Sequence, residues 1–350
     1  MILQYNSRLG KIKDVLDEKL PDFFSDKWRR SFFGDIPPVI ANHFLSSLIS
    51  PCRDLVNLGG KRWRPMLQVL CSELVSNAEP SYELVPLVEF VHTASLIHDD
   101  IEDGSDTRRG KPAAYIEYGM DVAINSGSWL YFAAAECIQN SDLSSEEKNT
   151  LYDVFFTELR RLHTGQAMDI YWHKNKSIIP SEEEYLAMTS MKTGTLSSLA
   201  AKTGVISGHG TEDDVVFMGK VASSIGIGFQ ILDDVKNLTT GNEGKKRGDD
   251  IVEGKKSLPL ILHLKNKPDD LDRILSCFER AEKEGINSSA VEECIEVLSS
   301  SDAVSVAYER SRALISDSCR KISSKYPDSQ AAVLIGELFA NMLREFEGIR

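Results

Sequence analysis

The sequence predicts an all-α fold built as a single large helical bundle, and three features of the chain predict it. Apolar residues recur at helical spacing through most of the 350 residues, for example at Leu84, Leu87, Val88 and Val91. Alternating apolar and polar runs, which would indicate strands, are nearly absent. The breaks between apolar stretches are short clusters of Gly, Pro, Ser and Asn, and none is long or polar enough to be an interdomain linker. We therefore expect about ten or more helices in one domain covering residues 1–350.

The composition is that of an ordinary folded protein with an acidic balance. Hydrophobic residues make up 42% of the chain and charged residues 27%, which argues against fibrous, low-complexity and disordered classes. The 53 acidic and 40 basic side chains give a formal net charge of −13, so the overall field repels nucleic acid and anionic membranes. We expect no nucleic-acid partner, and any phosphate-bearing ligand has to be held by a local basic site.

The cysteines and the apolar runs bear on the compartment. The six cysteines are scattered without a CxxC pair, and no basic-then-apolar leader follows Met1, so we expect reduced thiols in the cytoplasm. No apolar run reaches the roughly 18 residues that a transmembrane helix needs. The longest weakly polar stretch, residues 221–232, contains serines, glycines and a glutamine. We therefore expect no transmembrane segment.

A first acidic cluster lies in the segment HDDIED, residues 98–103. Asp99 and Asp103 are four residues apart, which puts both carboxylates on one helix face, one turn from each other, while Asp100 points elsewhere. Such a pair offers hard oxygen ligands and a partial coordination shell, of the kind that Mg²⁺ accepts when phosphates and water supply the rest. The alternative is an ordinary solvated acidic turn.

A second acidic cluster, Asp233 and Asp234 in the segment LDDVKN, follows the apolar run GIGFQIL. That run is too apolar for a helix face in open water, so these carboxylates are expected at the mouth of a cavity. Carboxylates beside buried surface need a cationic partner. A divalent metal bridging both acidic clusters would satisfy them, which makes a solvated face the less favoured interpretation.

Basic residues are concentrated in three loop-like segments, whose sequences are GGKRWRP, DTRRGKP and GKKRGDDIVEGKK. Glycine lets a backbone approach phosphate closely, arginine grips phosphate oxygens with its fork, and lysine acts as a mobile point charge. Each segment taken singly is more often a solvated surface. Together with two acidic clusters in an acidic protein, the three segments indicate a diphosphate bound on bridging metal ions.

These segments together resemble one family, the trans-isoprenyl diphosphate synthases, also called polyprenyl synthetases. The motifs, which stand in the family's order and spacing over roughly residues 40–265, are GGKRWRP, HTASLIHDDIEDGSDTRRGKP, GQAMD, MKTG and GFQILDDVKN followed by GDDIVEGKKSLP. The resemblance is greatest to geranylgeranyl diphosphate synthases, which share the DDxxN form of the second acidic motif.

The resemblance implies a helical bundle around a deep apolar cavity, usually a homodimer, with the two aspartate motifs facing each other at the mouth. It implies about three Mg²⁺ ions, a stoichiometry in keeping with a site that shares its metals with substrate phosphates. The metal-binding residues carried over to this chain are Asp99, Asp103 and Asp233, with Asp100 and Asp234 supporting.

The resemblance also implies the substrates, an allylic diphosphate and isopentenyl diphosphate, which the enzyme joins head to tail. Residues matching positions that hold the allylic diphosphate or face the carbocation are Arg108, Lys192, Thr193, Gln230 and Lys255. Residues matching the isopentenyl diphosphate site are Lys61, Arg64, His92 and Arg109, joined by a lysine of the pair Lys245 and Lys246. For His92, and for Gln166 and Asp169 in GQAMD, an ordinary structural role is the alternative.

Side-chain size along the helix that ends at the first motif is expected to set the product length. Residues before Asp99 lie progressively deeper, at 1.5 Å per residue. Ala94 and Ser95 are small, so the growing chain should pass them and reach a bulky floor, which predicts a geranylgeranyl product. The candidate floor residues are Phe90, Val91, Trp129, Tyr131 and Phe132. The alternative for these residues is ordinary aromatic core.

Three other activities remain as alternatives. A farnesyl or longer-chain synthase would use the same motifs with a different cavity depth. A class I terpene cyclase lacks the paired second motif and needs no isopentenyl site, so Lys61, Arg64 and Arg109 argue against it. A non-catalytic synthase subunit typically loses one aspartate cluster, and both are present here.

Overall fold

The computed structural model describes residues 2–76, 79–241 and 246–347, with side chains described for residues 5–76, 79–241 and 246–344. The regular structure is almost entirely helical, which confirms the all-α prediction. In chain order the helices are α1 (Ile2–Lys19), α2 (Asp26–Phe33), α3 (Asn42–Asn57), α4 (Trp63–Val75), α5 (Val85–Asp103), α6 (Ala114–Tyr118), α7 (Met120–Ala133), α8 (Glu136–Asn140), α9 (Ser145–Lys174), α10 (Glu182–Thr189), α11 (Thr195–Ser207), α12 (Glu212–Thr239), α13 (Asp249–Glu253), α14 (Leu258–Asn266), α15 (Leu271–Glu284), α16 (Ser289–Ser299), α17 (Ala303–Lys325) and α18 (Gln330–Glu347).

Short elements complete the regular structure. A π-helical turn, Ser190–Gly194, joins α10 to α11, and a 3₁₀ turn, Pro268–Asp270, precedes α15. Two strands of two residues each, β1 (Thr107–Arg108) and β2 (Lys111–Pro112), pair antiparallel. This hairpin falls in the DTRRGKP segment, where Arg109 and Gly110, both with positive φ, make the two-residue turn.

The contacts between residues group the chain into two compact units. Unit 1 comprises residues 1–156 and 199–219, and unit 2 comprises residues 157–198 and 220–350. Helices α9, α11 and α12 each contribute residues to both units. We propose that residues 1–350 form a single domain, because three helices are shared by the two units.

Helix α5 is the central element of unit 1. It packs against α7 and also against α1, α3 and α4. Its buried side chains include Leu87, Phe90, Val91 and Ala94, all fully inaccessible to solvent. Burying one such large apolar side chain contributes about 1.5–3 kcal/mol, so this packing holds the C-terminal turn of α5, with its aspartates, in a defined place.

Unit 2 has an apolar cluster that includes Ile251 of α13, the helix just before Lys255 and Lys256. It joins the end of α12, through Leu238, to α13 through Ile251 and to the helix pair α15 and α16 through Phe278 and Cys294. Helices as short as α13 and α14 are not stable by themselves, so packing against this cluster stabilises and positions them.

One helix of the described residues, α12, is long and apolar enough by length and composition to cross a bilayer. More than half of its most apolar window is buried inside the protein, and the helix carries Asp233 and Asp234 near its C-terminal end. These properties fit a core helix, so α12 provides no argument for membrane insertion.

Candidate active site

The first acidic cluster occupies the last turns of α5, and its three aspartates are one buried and two partly exposed carboxylates. Asp100 is 1% exposed, and Arg108 donates from Nε to its Oδ1 at 2.8 Å and from Nη2 to the same oxygen. Asp99 and Asp103 are partly exposed. Burial lowers the pKa of Arg108, but the hydrogen bond to Asp100 and the nearby charges outweigh burial and raise it. Arg108, predicted to hold diphosphate, therefore anchors Asp100 here.

A group of arginines surrounds His92 in unit 1. Burial, followed by the positive charges of Arg64 and Arg109, holds the pKa of His92 well below its usual range, with Arg62 and Arg108 adding to the effect. His92 is consequently neutral at pH 7. The predicted isopentenyl residues Arg64, His92 and Arg109 are thus close together, and Lys61 lies exposed in the same GGKRWRP segment.

Two segments far apart in sequence meet at this group. Arg109 donates from Nη1 to the carbonyl of Gly59. Gly60 has φ +130°, and a Cβ on it would lie 2.8 Å from Nη2 of Arg109, so glycine is required there. Arg62, which the sequence reasoning did not single out, pairs with the buried Glu89 of α5. The GGKRWRP and DTRRGKP segments are therefore brought together by the tertiary fold.

The second acidic cluster, at the end of α12 in unit 2, again pairs an exposed carboxylate with a buried one. Asp233 is exposed, and Asp234 is 6% exposed. Asp234 accepts hydrogen bonds from Tyr185 Oη at 2.7 Å, from the backbone N of Leu258 at 2.9 Å and from Gln230 Nε2 at 3.2 Å. Burial, followed by the charge of Asp250, raises the pKa of Asp234 to about 7.

The predicted cation-facing residues form a chain of hydrogen bonds with Asp234. Thr193 donates from Oγ1 to Oε1 of Gln230 at 2.9 Å, and Gln230 donates in turn to Asp234. Asn237, one turn after Asp233, is fully buried, and its Oδ1 accepts a hydrogen bond from the backbone N of Asp250 at 3.3 Å. Asn237 therefore anchors α13 from within the core.

Lys192 lies in the π-helical turn and binds a buried carboxylate of α9. Its Nζ is 2.6 Å from Oδ2 of Asp169, whose Oδ1 lies 3.2 Å from Nε2 of His173. Although burial alone would raise the pKa of Asp169, the charges of Lys192 and His173 hold it well below its usual range. A Cβ on Gly165 would lie 2.3 Å from the backbone N of Lys192, so only glycine allows this approach of α9. His173 was missed, although its i+4 spacing from Asp169 was the available signal.

The lysines of the third basic segment have different positions. Lys255 pairs with Glu253 and lies 3.8 Å from Oδ1 of Asp250. Lys246 is exposed and donates to Oδ1 of Asn287 at 3.2 Å. Lys245, the other candidate of that pair, lies outside the described residues.

The chain-length candidates divide into buried and exposed residues. Ala94, Phe90 and Val91 are fully buried on α5, and Tyr131 of α7 is 7% exposed, whereas Ser95 is partly exposed. Trp129 is partly exposed and packs against Phe32 and Phe33 of α2, which are also partly exposed, at ring distances of 6.0 Å. Phe132 is 73% exposed. In the single chain, α7 therefore presents Phe132 to the surface, and its assignment to the floor stays a prediction.

The donor chemistry of the acidic clusters fits Mg²⁺. In the described part of the chain, three or more His, Cys, Asp or Glu side chains do not come together as a metal site, so a metal here would need ligands from outside the protein. Mg²⁺ is commonly bound through one or two carboxylates plus water and substrate phosphates, which is the partial shell that Asp99 with Asp103 and, separately, Asp233 can offer.

The comparisons with known proteins agree with these motifs. Residues 46–298 match the family model described as polyprenyl synthetase. A geranylgeranyl pyrophosphate synthase of Apiospora sacchari is 34% identical over 258 residues, which is 73% of this chain and 75% of the relative. One of Neocamarosporium betae is 36% identical over 236 residues, 67% of this chain and 66% of the relative. The matched segment thus spans about two thirds to three quarters of these relatives.

The fold agrees over a greater length. The crystal structure of a geranylgeranyl pyrophosphate synthetase from Pyrococcus horikoshii matches with a TM-score of 0.80 and 29% identity, covering 97% of this chain and 99% of that one. A geranylgeranyl pyrophosphate synthetase from Geoglobus acetivorans matches with a TM-score of 0.73 and 26% identity, covering 95% of this chain and 99% of that one. The helical arrangement is therefore shared almost from end to end.

Proposed function

This chain belongs to the polyprenyl synthetase family, and we propose that it condenses isopentenyl diphosphate with an allylic diphosphate, head to tail, to make geranylgeranyl diphosphate. One observation carries the proposal: each acidic motif holds one buried carboxylate in place and leaves another accessible. Arg108 anchors Asp100, and Tyr185 anchors Asp234. The anchored members fix the position of each motif, and solvent reaches the other members, Asp99, Asp103 and Asp233.

We propose that Mg²⁺ is held by Asp99 and Asp103 in unit 1 and by Asp233 in unit 2, with Asp100 and Asp234 orienting the motifs. When bound, the metal supplies electrostatic stabilisation to a departing pyrophosphate. Lys192 and Lys255 add positive charge to the allylic diphosphate site. Oδ2 of Asp169 lies 2.6 Å from Nζ of Lys192, so the ammonium of Lys192 is oriented before substrate binds.

The isopentenyl diphosphate is assigned to the basic group of unit 1. Lys61, Arg64 and Arg109 are its cationic ligands, and arginine forks suit the terminal oxygens of a diphosphate. His92 is neutral there, so it contributes a hydrogen bond rather than a charge. This group distinguishes the chain from a terpene cyclase, which uses no isopentenyl substrate.

The reaction needs no protein nucleophile. The allylic carbon–oxygen bond breaks, pyrophosphate leaves with the bonding electrons, and the double bond of isopentenyl diphosphate adds to the carbocation. An oxygen of the pyrophosphate then accepts the proton lost from the adduct. Thr193 and Gln230 stabilise the cation through their oxygen dipoles, and their mutual hydrogen bond, continued to Asp234, holds both in one orientation.

We propose that the chain forms a homodimer through α7. Met120, Ile124 and Phe132 lie on α7 at intervals of four and eight residues and are 46%, 44% and 73% exposed, so they form one apolar strip. Light scattering should give a dimeric mass for the wild type and a monomeric mass for Phe132→Asp. Val333→Asp, at an exposed apolar position of α18, is the control and should stay dimeric. A monomeric wild type would exclude the dimer.

An incorporation assay tests the proposed function. Radiolabelled isopentenyl diphosphate is supplied with a five-, ten- or fifteen-carbon allylic diphosphate, with and without Mg²⁺, and the dephosphorylated products are separated by chain length. We expect Mg²⁺-dependent incorporation that ends at twenty carbons. A fifteen-carbon or longer product would reassign the chain to another synthase of the family, and allylic turnover without incorporation would indicate a cyclase.

A further inference from the structure

A buried lysine lies next to the diphosphate-binding lysine and has no part in the mechanism above. Lys256 is 2% exposed, although it directly follows Lys255. Its Nζ donates to the carbonyl of Gly254 at 2.7 Å and lies 5.0 Å from the ring centroid of Phe278 on α15. The consecutive lysines therefore have different surroundings: Lys255 pairs with Glu253, while Lys256 enters the apolar cluster of unit 2.

The contact made by Lys256 falls where α13 ends. Gly254 follows the last residue of α13 with φ +71°, and a Cβ on it would lie 3.6 Å from Cε of Lys176. Carbonyls at a helix C-terminus carry partial negative charge, and a cation placed there is stabilising. Lys256 thus links the connection between α13 and α14 to α15, because it contacts both the carbonyl of Gly254 and the ring of Phe278.

We propose that Lys256 is a positioning residue, whose ammonium holds the turn at Gly254 against α15 and thereby directs Lys255 toward the allylic diphosphate. The inference rests on the function proposed above for Lys255. Lys256 itself does not touch substrate. Its effect should therefore appear in the KM for the allylic diphosphate, whereas a core residue without this role would alter stability and leave that KM unchanged.

The positioning of the turn by Lys256 should depend on pH, because the positive charge of Lys256 strengthens its contacts with the Gly254 carbonyl and the Phe278 ring. Burial, followed by the charge of Lys176, lowers the pKa of Lys256 to about 8. Two charged groups act on Lys256 directly, Asp169 of α9 and Lys176, and Lys176 pairs with Glu282 of α15. On α13, Asp250 and Glu253 neighbour Lys255. As pH rises through about 8, the cation–π contact is lost and the hydrogen bond to Gly254 weakens.

The test compares Lys256→Met and Lys256→Arg with the wild type between pH 6.5 and 9.5. In the wild type, the KM for the allylic diphosphate should rise with pH above about 8. At pH 7, Lys256→Met should raise this KM by roughly 10- to 100-fold, the effect of losing one charged hydrogen bond. Lys256→Arg, which stays charged, should keep a low KM to pH 9.5. The control is Lys267→Met, which removes an exposed lysine bound to the carbonyl of Ser300 at 3.0 Å and should match the wild type.

Unfolding supplies a readout that does not depend on turnover. Between about pH 8 and the unfolded pKa of about 10.4, the unfolded chain keeps a proton that folded Lys256 releases. The free energy of unfolding of the wild type should therefore rise relative to that of Lys256→Met over this window. If Lys256→Met does not fold, Phe278→Leu keeps the lysine but removes the ring, and should move the rise in KM to lower pH.

The outcomes separate the two proposals. A wild type that incorporates no isopentenyl diphosphate overturns the proposed function and the role of Lys256 with it. An active wild type, in which both Lys256 variants show the wild-type KM at every pH, overturns the role of Lys256 alone.

Discussion

The hydroxyl of Tyr185 donates a hydrogen bond to Oδ2 of Asp234 at 2.7 Å, and both side chains are buried. This bond ties α10 to the second aspartate motif on α12. The same carboxylate is hydrogen-bonded to Gln230, which is hydrogen-bonded to Thr193. Tyr185 therefore influences the orientation of the two residues that are proposed to face the carbocation.

Replacing Tyr185 with Phe should lower kcat by up to roughly tenfold with little change in either substrate KM, because a lost buried hydrogen bond costs about 0.5–1.5 kcal/mol and the orientation of Gln230 loosens. Steady-state kinetics measure both constants. Tyr308→Phe, at another buried tyrosine of unit 2, is the matched control. Equal losses in the two variants would mean that Tyr185 acts on stability alone.

Asp99→Ala and Asp233→Ala should each reduce kcat by roughly 10²–10³-fold, the usual cost of removing one preorganised electrostatic group. Both should also increase the Mg²⁺ concentration needed for half-maximal rate. The measurement is an Mg²⁺ titration at saturating substrates. Asp328→Ala, an exposed aspartate of the loop before α18, should behave as wild type. Full turnover after Asp99→Ala would contradict the metal assignment.

Ala94→Phe should shorten the principal product from twenty to fifteen carbons. Ala94 is fully buried on α5, so the added ring costs about 1–3 kcal/mol in stability, and we expect it to take the space that a longer chain would use. Chromatography of the dephosphorylated products gives the chain length, and thermal unfolding confirms that the variant is folded. An unchanged product from a folded Ala94→Phe would exclude α5 as the ruler.

Asp169→Asn should remove an acid-dependent part of the stability. Because the folded pKa of Asp169 is lowered, its contribution is fully present above the unfolded value of about 3.9 and is lost as pH falls further. Urea unfolding should therefore show a wild-type advantage that is constant above about pH 5 and shrinks below about pH 4. Asp153→Asn, an exposed aspartate of the same helix, should show no such change.

Calorimetry tests the proposed single domain. Helices α9, α11 and α12 each contribute to both compact units, so unfolding one unit would have to break three helices within their length. We expect one transition, whose van't Hoff enthalpy equals the calorimetric enthalpy per mole of native protein. Two separable transitions would indicate two domains.

Much of the fold and part of the site could be predicted because the signals are local. Helical periodicity predicted the all-α class, and it predicted that Asp100 points away from Asp99 and Asp103; Asp100 is indeed the buried member of the three. Similar local spacing was available for Asp169 and His173. By contrast, the exposure of Phe132 depends on what covers α7, which no pattern within α7 specifies.

The sequence by itself determined the helices, the polyprenyl synthetase motifs and the residue types that the chemistry needs, because periodicity and composition act within a few residues. Only the tertiary structure decided which of those residues are anchored: Tyr185 on Asp234 across 49 positions, Lys192 on Asp169 across 23 and Arg109 on Gly59 across 50. The physical reason is that a buried charge requires a partner, and the chain supplies that partner from whichever segment packing brings near, however distant it is in sequence.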